Sequence, residues 1–538
     1  MFFILEYGTI HGMRRWLNDS TILSVMSGIV IVGVLLFCLV KIIPVAQVLW
    51  DEAEFLRYIQ QTVYALQDSN LSHLLRVTRI QIFYPPLHTL LLALPVTIAG
   101  FSITNTRVMG LVIFFSTLLS IQWLSTWVSQ ELFPHWKGEV HRFISLISVV
   151  LYGTGPVTLI LASLAQKELL STLWGIIAVG LYLMGRIKQN LRYFFFTGLI
   201  LSLDFLTKYQ YPLFLFTAML LELGIAAHEP SSRKKKLQAF LVLTIPFLTT
   251  CTLWIFLRSN YLQIVFHILN YYPGLVTKPW ADPVTLWLYY PRAIIYAFHE
   301  HAWLGLITIP TAIYSGLSIK NPIIRFFVLC ILVQGLPLML NPTNPQERYL
   351  ATSIPFFMVL SVIGMVKLCQ GIPLFHYRHM CVLLGCSLAL GSLGYLWANV
   401  PRRVYAIGNM GSTRGMLFAT PDFVDNWFNY NEATWPKRSP AEDKETPHDI
   451  TTYIANTIDT TIPYQLIGRA NELSPAAIDI PIQAKKRSAD NLSALQMIRD
   501  PSNPRLPVTG QQWSAYTTGK SSWRASGPCR HCCTCTQT

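Results

Sequence analysis

Long apolar segments recur along most of the chain, and they constrain its fold more than any other feature. Each holds about 16 to 25 residues with few charges, enough to cross or nearly cross a hydrocarbon core of about 30 Å. Of the 538 residues, 52% are hydrophobic and only 13% are charged, whereas about 25% of an ordinary soluble domain is charged. The sequence therefore predicts an all-α polytopic membrane protein and excludes an ordinary soluble enzyme.

Basic clusters between these segments predict how the chain is threaded through the membrane. Lysine and arginine near helix ends favour the cytoplasmic side. The basic residues that produce the net charge of +14 lie in such clusters rather than along one soluble face, which argues against nucleic-acid binding. The clusters placed inside include Arg14, Arg15, Lys137, Arg142 and the run from 233 to 236. This placement predicts about eleven crossings, with the amino terminus inside and residues after about 400 outside.

One apolar segment, from Pro85 to Gly100, is left out of the predicted spans. It holds about 16 residues and begins with Pro85-Pro86, so it is short for a span. If it crossed the membrane, the later basic clusters would lie outside, against the positive-inside rule. We therefore expect an interfacial or re-entrant helix on the outer side, next to a surface helix from Glu52 to Leu66 in the same first outer loop.

The composition divides the chain into three regions. Residues 1–400 are predicted to form the membrane domain, and the more polar residues 401–498 are expected to form a small outer domain. Proline, serine, threonine, glycine and glutamine dominate residues 499–538, which predicts disorder. The cysteines between Cys529 and Cys535 could bind a metal or form disulfides, or they are incidental features of a disordered end.

The outer loops collect charged side chains that a membrane would disfavour. A charge costs about 2.5 to 3.5 kcal/mol at the bilayer centre on insertion scales, so these residues are functional candidates. A carboxylate can deprotonate an acceptor hydroxyl, while fixed cations can hold a phosphate and stabilise its charge as it leaves. Carboxylates and cations on one side of the membrane therefore suit a reaction of a glycosyl phosphate. The charged residues of these outer loops are Asp51, Glu52, Glu54, Arg57, Arg76, Arg79, Lys167, Glu168, Lys208, Glu347 and Arg348.

Three of these residues have a distinctive setting, and each also has an ordinary structural interpretation. Asp51 directly follows the first predicted helix and is the candidate base, although it could simply cap a surface helix. Lys208 lies among tyrosines at an outer helix end, where a lysine can also extend to the interface. Arg348 suits bidentate phosphate binding, or it could form an exposed pair with Glu347 that contributes under about 1 kcal/mol.

Four short motifs occur in a fixed order and on one predicted side of the membrane. Together they resemble the GT-C glycosyltransferases over roughly residues 20 to 400, and more narrowly the bacterial branch related to protein O-mannosyltransferases and the lipid A aminoarabinose transferase. The motifs are Asp51-Glu52, then Tyr84-Pro85-Pro86-Leu87 before Leu90-Leu91-Leu92, then the Lys208 turn, and finally Glu347-Arg348-Tyr349-Leu350.

The resemblance implies an inverting transfer from a polyprenyl-phosphate sugar, with an acidic residue of the first outer loop as catalytic base. That role falls on Asp51, with Glu52 as the substitute. The family often has a second acidic residue after the third helix. This chain has Gln166-Lys167-Glu168 there, with no aspartate, so Glu168 is the nearest match. A carboxylate pair that could share a divalent ion is not evident, and no metal or other cofactor is predicted.

The same resemblance implies that Lys208 and Arg348 contact the donor phosphate, with Tyr209 beside them. The expected partners are a polyprenyl-phosphate sugar carrying a hexose, a mannose-like sugar or a pentose, an acceptor that is a lipid, glycan or protein, and membrane lipid, but no nucleic acid. The expected location is the plasma membrane with the active site facing outside, and the endoplasmic reticulum is the alternative.

Two other functions remain open at this stage: a multi-pass transporter or flippase of a lipid-linked substrate, and an inactive relative. Transporters favour internal repeats and sites near the bilayer midplane. The two halves show no clear repeat, and Asp204 and Glu222, which lie in or near apolar segments, form no obvious relay. The aromatic loop from Arg258 to His301 is expected to anchor at the interface, or to close over the substrates.

Overall fold

Helices account for the regular structure of the part of the chain that is described, and this part contains no strand. The computed structural model describes residues 19–43, 50–81, 84–164, 166–226, 233–258, 290–291, 293–295, 298–299, 302–340, 347–369 and 378–398. The predicted regions 401–498 and 499–538, with the cysteines near the end, lie outside it, as does most of the aromatic loop.

The predicted all-α architecture is confirmed, and the helices follow one another with short connections. The first half contains α1 (Asp19–Phe37), α2 (Trp50–Gln67), α3 (Leu71–Ile80), α4 (Leu87–Ala99), α5 (Ile103–Leu132), α6 (Gly138–Gly153), α7 (Pro156–Ser163) and α8 (Lys167–Lys188). The second half contains α9 (Leu191–Phe205), α10 (Gln210–Ala226), α11 (Arg233–Leu257), α12 (Ala302–Ser318), α13 (Pro322–Leu340), a 3₁₀ turn (Glu347–Leu350), α14 (Ile354–Cys369) and α15 (Arg378–Ala398).

Within the described ranges, six helices are long and apolar enough to cross a membrane, and a seventh span results if α6 and α7 are taken as one. The remaining predicted crossings correspond to shorter helices such as α9, α12 and α14. A polytopic protein is therefore established, while the number of about eleven crossings stays a prediction.

The third predicted span, Phe143 to Ala162, is divided into α6 and α7, which meet at 70°. Proline disfavours the helical conformation of the residue before it, so Pro156 ends a continuous helix at Gly155. A side chain at Gly155 would also place its Cβ 2.7 Å from the carbonyl oxygen of Phe298. The bend directs the chain towards the start of α8, where the candidate carboxylate Glu168 lies.

The first predicted helix, Ile22 to Val45, ends differently from an ordinary α-helix. After Phe37 it continues as a π-helix over Cys38–Ile42, closed by a bond of 2.9 Å from the Ile43 amide to the Cys38 carbonyl. Wider turns of this kind often occur at functional sites. This one lies just before α2, whose first turn contains Asp51.

The helices of the first outer loop share a small core of their own. Three apolar residues of α2 pack against three of α4. They are Leu56, Ile59 and Val63 of α2, and Leu92, Ala93 and Val96 of α4. The two predicted helices of this loop are therefore present and support each other. At 13 residues α4 is short for a span, which agrees with its prediction as an interfacial or re-entrant helix, although that position in the membrane stays a prediction.

A buried carboxylate connects three helices at the end of the bundle that is predicted to be cytoplasmic. Glu222 of α10 is 2% exposed in its side chain. It accepts a hydrogen bond of 2.5 Å from the Tyr182 hydroxyl of α8 and lies 3.0 Å from Arg186 and 4.0 Å from Arg325 of α13. Partners of opposite charge offset the cost of burying this acid, so Glu222 serves packing here.

Glycine allows α9 and α11 to pack closely. A Cβ at Gly198 would collide with the Leu243 carbonyl and the Pro246 ring. We expect Gly198→Ala to lower the free energy of unfolding by about 1–3 kcal/mol, because overpacking forces helices apart. The matched control is Gly224→Ala, since nothing lies within 4 Å of a Cβ there. Equal thermal unfolding midpoints for the two variants in detergent would contradict the prediction.

Candidate active site

Four segments that are far apart in the sequence meet at the end of the bundle that is predicted to face outside. They are the loop before α4 at Tyr84, the start of α8 at Lys167 and Glu168, the turn after α9 at Lys208, and the 3₁₀ turn at Arg348. Two of the cations, Lys208 and Arg348, converge on the carboxylate of Glu168. We call these residues, together with the side chains around them, the cation cluster.

Glu168 lies at the centre of the cation cluster. Its side chain is 1% exposed, and its Oε1 lies 2.6 Å from the Lys208 Nζ and 3.4 Å from the Arg348 Nε. Its other oxygen, Oε2, is buried with no hydrogen-bond partner among the described residues. The structure therefore brings together the three residues that the sequence predicted on this side as second acid and phosphate ligands.

Lys208 is almost fully buried, with 2% of its side chain exposed. Backbone bonds at the end of α9 fix the turn, since the Lys208 amide donates to the Asp204 carbonyl at 2.8 Å. Its ammonium lies 5.0 to 5.4 Å from the ring centres of Tyr84, Tyr211 and Tyr349. A lysine extending to the interface would be exposed, so that alternative interpretation does not fit.

Arg348 is positioned by its backbone as much as by its charge. The Tyr211 hydroxyl donates to the Arg348 carbonyl at 3.0 Å, and Gln334 donates to the next carbonyl, that of Tyr349. The guanidinium also donates to the Gln166 side-chain oxygen at 3.4 Å. About a fifth of the Arg348 side chain remains exposed, so it can reach a ligand that enters the cluster.

Lys167 is a further cation in the cluster, and sequence reasoning gave it no role. It is 1% exposed, and its ammonium lies 4.3 Å from the ring centre of Phe55 and 4.5 Å from that of Tyr84. Aromatic faces attract a cation electrostatically, and more strongly away from water. The sequence predicted Lys167 on the outer side. Its contacts with two aromatic rings from other segments, which suggest a role, are visible only in the folded chain.

His88 is a residue of the site that sequence reasoning missed. It lies in the first turn of α4, is 1% exposed, and places its ring 6.1 Å from that of Phe55. Burial, as the largest cause, and the positive charge of Lys167 together lower the pKa of His88 to about 3, against smaller opposing effects of Glu168 and of a hydrogen bond to the Gln166 backbone. The imidazole is therefore neutral at physiological pH.

Tyr209 lies next to the cluster rather than in its centre. Its ring centre is 6.2 Å from that of Tyr84. Burial raises the pKa of Tyr209 above its ordinary value, so its hydroxyl stays protonated and can donate a hydrogen bond. Contact with a donor phosphate remains a prediction for this residue.

The two predicted acids at the start of α2 have separate settings. Glu52 is fully buried and binds Arg107 in a bidentate pair, with distances of 2.8 and 2.7 Å. Arg107 also donates to the Ile43 carbonyl at 3.2 Å, so this pair joins the end of the first helix to α5. Asp51 lies in the first turn of α2, and its side chain is outside the described part of the structure.

The backbone nevertheless relates Asp51 to the cation cluster. Positions four apart share one face of a helix, and Phe55, which contacts Lys167, lies four residues after Asp51. The candidate base is thus placed one helical turn from a residue of the cluster.

Among the described residues no group of three or more His, Cys, Asp or Glu side chains could hold a metal ion.

Two solved structures of ArnT from Cupriavidus metallidurans resemble this chain. The structure bound to undecaprenyl phosphate aligns with a TM-score of 0.54 at 11% identity, covering 87% of this chain and 90% of that one. The apo structure aligns with a TM-score of 0.53 at 12% identity, covering 86% and 85%. This chain has the ArnT fold. The predicted likeness to the lipid A aminoarabinose transferase branch is thereby confirmed at the level of fold.

Sequence comparison adds nothing to this result, since no protein-family profile and no curated protein sequence matches the chain. The ArnT fold extends over most of both chains.

Proposed function

We propose that this chain is an integral-membrane glycosyltransferase that moves a sugar, with inversion, from a polyprenyl-phosphate carrier to an acceptor on the non-cytoplasmic face. The observation that carries the proposal is the convergence of Lys208 and Arg348 on the carboxylate of Glu168, with Lys167 against the Tyr84 ring that also contacts Lys208. Three cations with one acid in a buried setting suit a phosphate group. The ArnT structure that contains undecaprenyl phosphate supports a lipid phosphate of this kind.

In the proposed reaction, a carboxylate takes the proton of an acceptor hydroxyl as that oxygen forms a bond to the anomeric carbon. The bond from the anomeric carbon to the phosphate oxygen breaks, and its electron pair stays on the phosphate. Lys208 and Arg348 stabilise the charge that develops there. Tyr209 is proposed to donate a hydrogen bond beside them.

We assign the base to Asp51 in the first place. The Glu52 carboxylate is already engaged by both nitrogens of Arg107, and Glu168 is paired with two cations, which makes either a weaker base. Glu52 and Glu168 remain the substitutes. The sugar is proposed to be a hexose or a pentose, the acceptor a lipid, glycan or protein, and the membrane the bacterial plasma membrane, with the endoplasmic reticulum as the alternative.

No metal is assigned to the reaction, because the chemistry above needs only the carboxylates and cations of this chain.

The reaction class is tested by release of labelled sugar from a panel of polyprenyl-phosphate sugars, using purified protein in lipid. Turnover with at least one donor is the expected result. Failure of every donor in the panel, together with no binding of undecaprenyl phosphate, would reject the proposal.

A substitution at Arg348 tests the phosphate site separately. We expect Arg348→Gln to raise the Kd for undecaprenyl phosphate by about ten- to a hundredfold, because a charge-assisted hydrogen bond contributes about 1.5–3 kcal/mol. Arg325→Gln is the matched control, since this arginine is half exposed at the opposite end of the bundle. An Arg348 variant that binds like the parent protein would exclude the guanidinium from the site.

A transporter of a lipid-linked substrate remains a second candidate because of one residue. Asp204 of α9 is fully buried within an apolar helix, and ionisable groups in such positions often mark transport pathways. Movement of a labelled lipid-linked substrate across reconstituted vesicles, with no release of sugar and with loss of movement in Asp204→Asn, would favour this function over the transferase.

A further inference from the structure

The Tyr84 ring contacts both lysines of the cation cluster. Its ring centre is 4.5 Å from the Lys167 ammonium and 5.3 Å from the Lys208 ammonium. Lysines from two separate segments, the start of α8 and the turn after α9, therefore share one aromatic ring. Like charges repel each other, and the electron-rich ring, with Glu168 beside Lys208, offsets that repulsion.

The backbone that carries Tyr84 is fixed to one of these lysine segments. Leu87, three residues later, donates its amide to the Leu206 carbonyl at 3.0 Å, two residues before Lys208. The intervening Pro85 and Pro86 restrict the backbone between the ring and this bond. A position close to Lys208 thus follows from the fold rather than from the tyrosine side chain alone.

Aromatic neighbours hold the ring on its other sides. The Phe55 ring of α2 lies 6.1 Å away at an edge-on angle, and the Tyr209 ring lies 6.2 Å away. Phe55 also contacts the Lys167 ammonium at 4.3 Å. The arrangement connects the helix of Asp51, through Phe55 and Tyr84, with both lysines.

We infer that Tyr84 is a positioning residue whose ring holds Lys167 and Lys208 together as a paired binding site for the phosphate of the lipid carrier. The inference rests on the proposed function for the identity of the ligand. The inference goes beyond the proposed function because that function gives no role to Tyr84 and does not pair the two lysines through its ring.

The test compares Tyr84→Phe, which keeps the ring, with Tyr84→Leu, which keeps an apolar side chain without it. We expect Tyr84→Leu to raise the Kd for undecaprenyl phosphate by about tenfold, since cation–π attraction is stronger at desolvated sites, while Tyr84→Phe stays within about twofold of the parent. The matched control is Tyr193→Leu, which removes a ring 5.5 Å from the exposed Lys188 and should change nothing.

A second measurement needs no lipid. The acylation rates of Lys167 and Lys208 by a small amine-reactive reagent, followed by mass spectrometry, should rise several-fold in Tyr84→Leu and not in Tyr84→Phe. Tyr84→Ile serves as a second ring-free variant if Tyr84→Leu does not fold.

The two measurements separate the inference from the proposed function. Unchanged lysine reactivity in the ring-free variants, or an equal loss of binding in Tyr84→Phe, would overturn the role of the ring. Raised reactivity in a protein whose parent form binds no undecaprenyl phosphate would support the role of the ring and reject the proposed function.

Discussion

Turnover is expected to fall by about 10²- to 10⁴-fold when Asp51 is replaced by asparagine, because the variant cannot take the proton of the acceptor hydroxyl. Donor binding should persist, since the cation cluster that is proposed to bind the phosphate does not include Asp51. The readout is release of labelled sugar at saturating donor, together with the Kd for undecaprenyl phosphate. A fall in kcat with an unchanged Kd would identify a group that acts in the transition state.

Asp68→Asn is the control for this substitution. Asp68 lies just past the other end of α2 and is exposed, so it has the same chemistry at a position away from the cluster. Turnover equal to that of the parent in Asp51→Asn would transfer the role of base to Glu168 or Glu52. A loss in Asp68→Asn as large as that in Asp51→Asn would point to a general effect on the helix.

The second large effect is expected at Lys208. Lys208→Met should lower the free energy of unfolding by about 3 kcal/mol, because it takes from the buried Glu168 carboxylate the partner 2.6 Å away. Turnover should fall by about 100-fold or more, since the cation that is proposed to stabilise the leaving phosphate is lost. Thermal unfolding in detergent and sugar release measure the two losses separately.

A double variant separates stability from function at this site. Glu168→Gln combined with Lys208→Met removes the buried carboxylate that has lost its nearest partner and should recover most of the lost stability, while turnover stays low. Lys188→Met, at an exposed lysine near the opposite end of α8, is the control. Recovery of turnover along with stability in the double variant would mean that the pair is structural only.

Much of this architecture follows from sequence patterns that report on local structure. The apolar segments predicted the helices, and the basic clusters predicted which loops share the outer side of the membrane. That side contained Glu168, Lys208 and Arg348, although Lys208 lies 40 residues from Glu168 in the sequence. Their convergence could be anticipated because membrane topology places distant loops on one side, which a soluble fold would not do.

The remaining features depend on contacts that no local pattern records. The pairing of Glu52 with Arg107 joins positions 55 residues apart, and the sequence treated Glu52 only as a substitute for the base. The rings around Lys167 come from two other segments of the first outer loop. The bend between α6 and α7 could have been suspected from Gly155-Pro156, but its angle is set by packing.

The position of Glu168 between two cations bears on how a spent carrier would leave. The carboxylate neutralises part of the charge of Lys208 and Arg348, so a phosphate entering the proposed site would compete with it, and a departing one would be replaced by it. Such an internal counter-ion is expected to lower the affinity for substrate and product alike and to shorten the residence time of the lipid phosphate. Inhibition by the product should therefore be weaker in the parent protein than in Glu168→Gln.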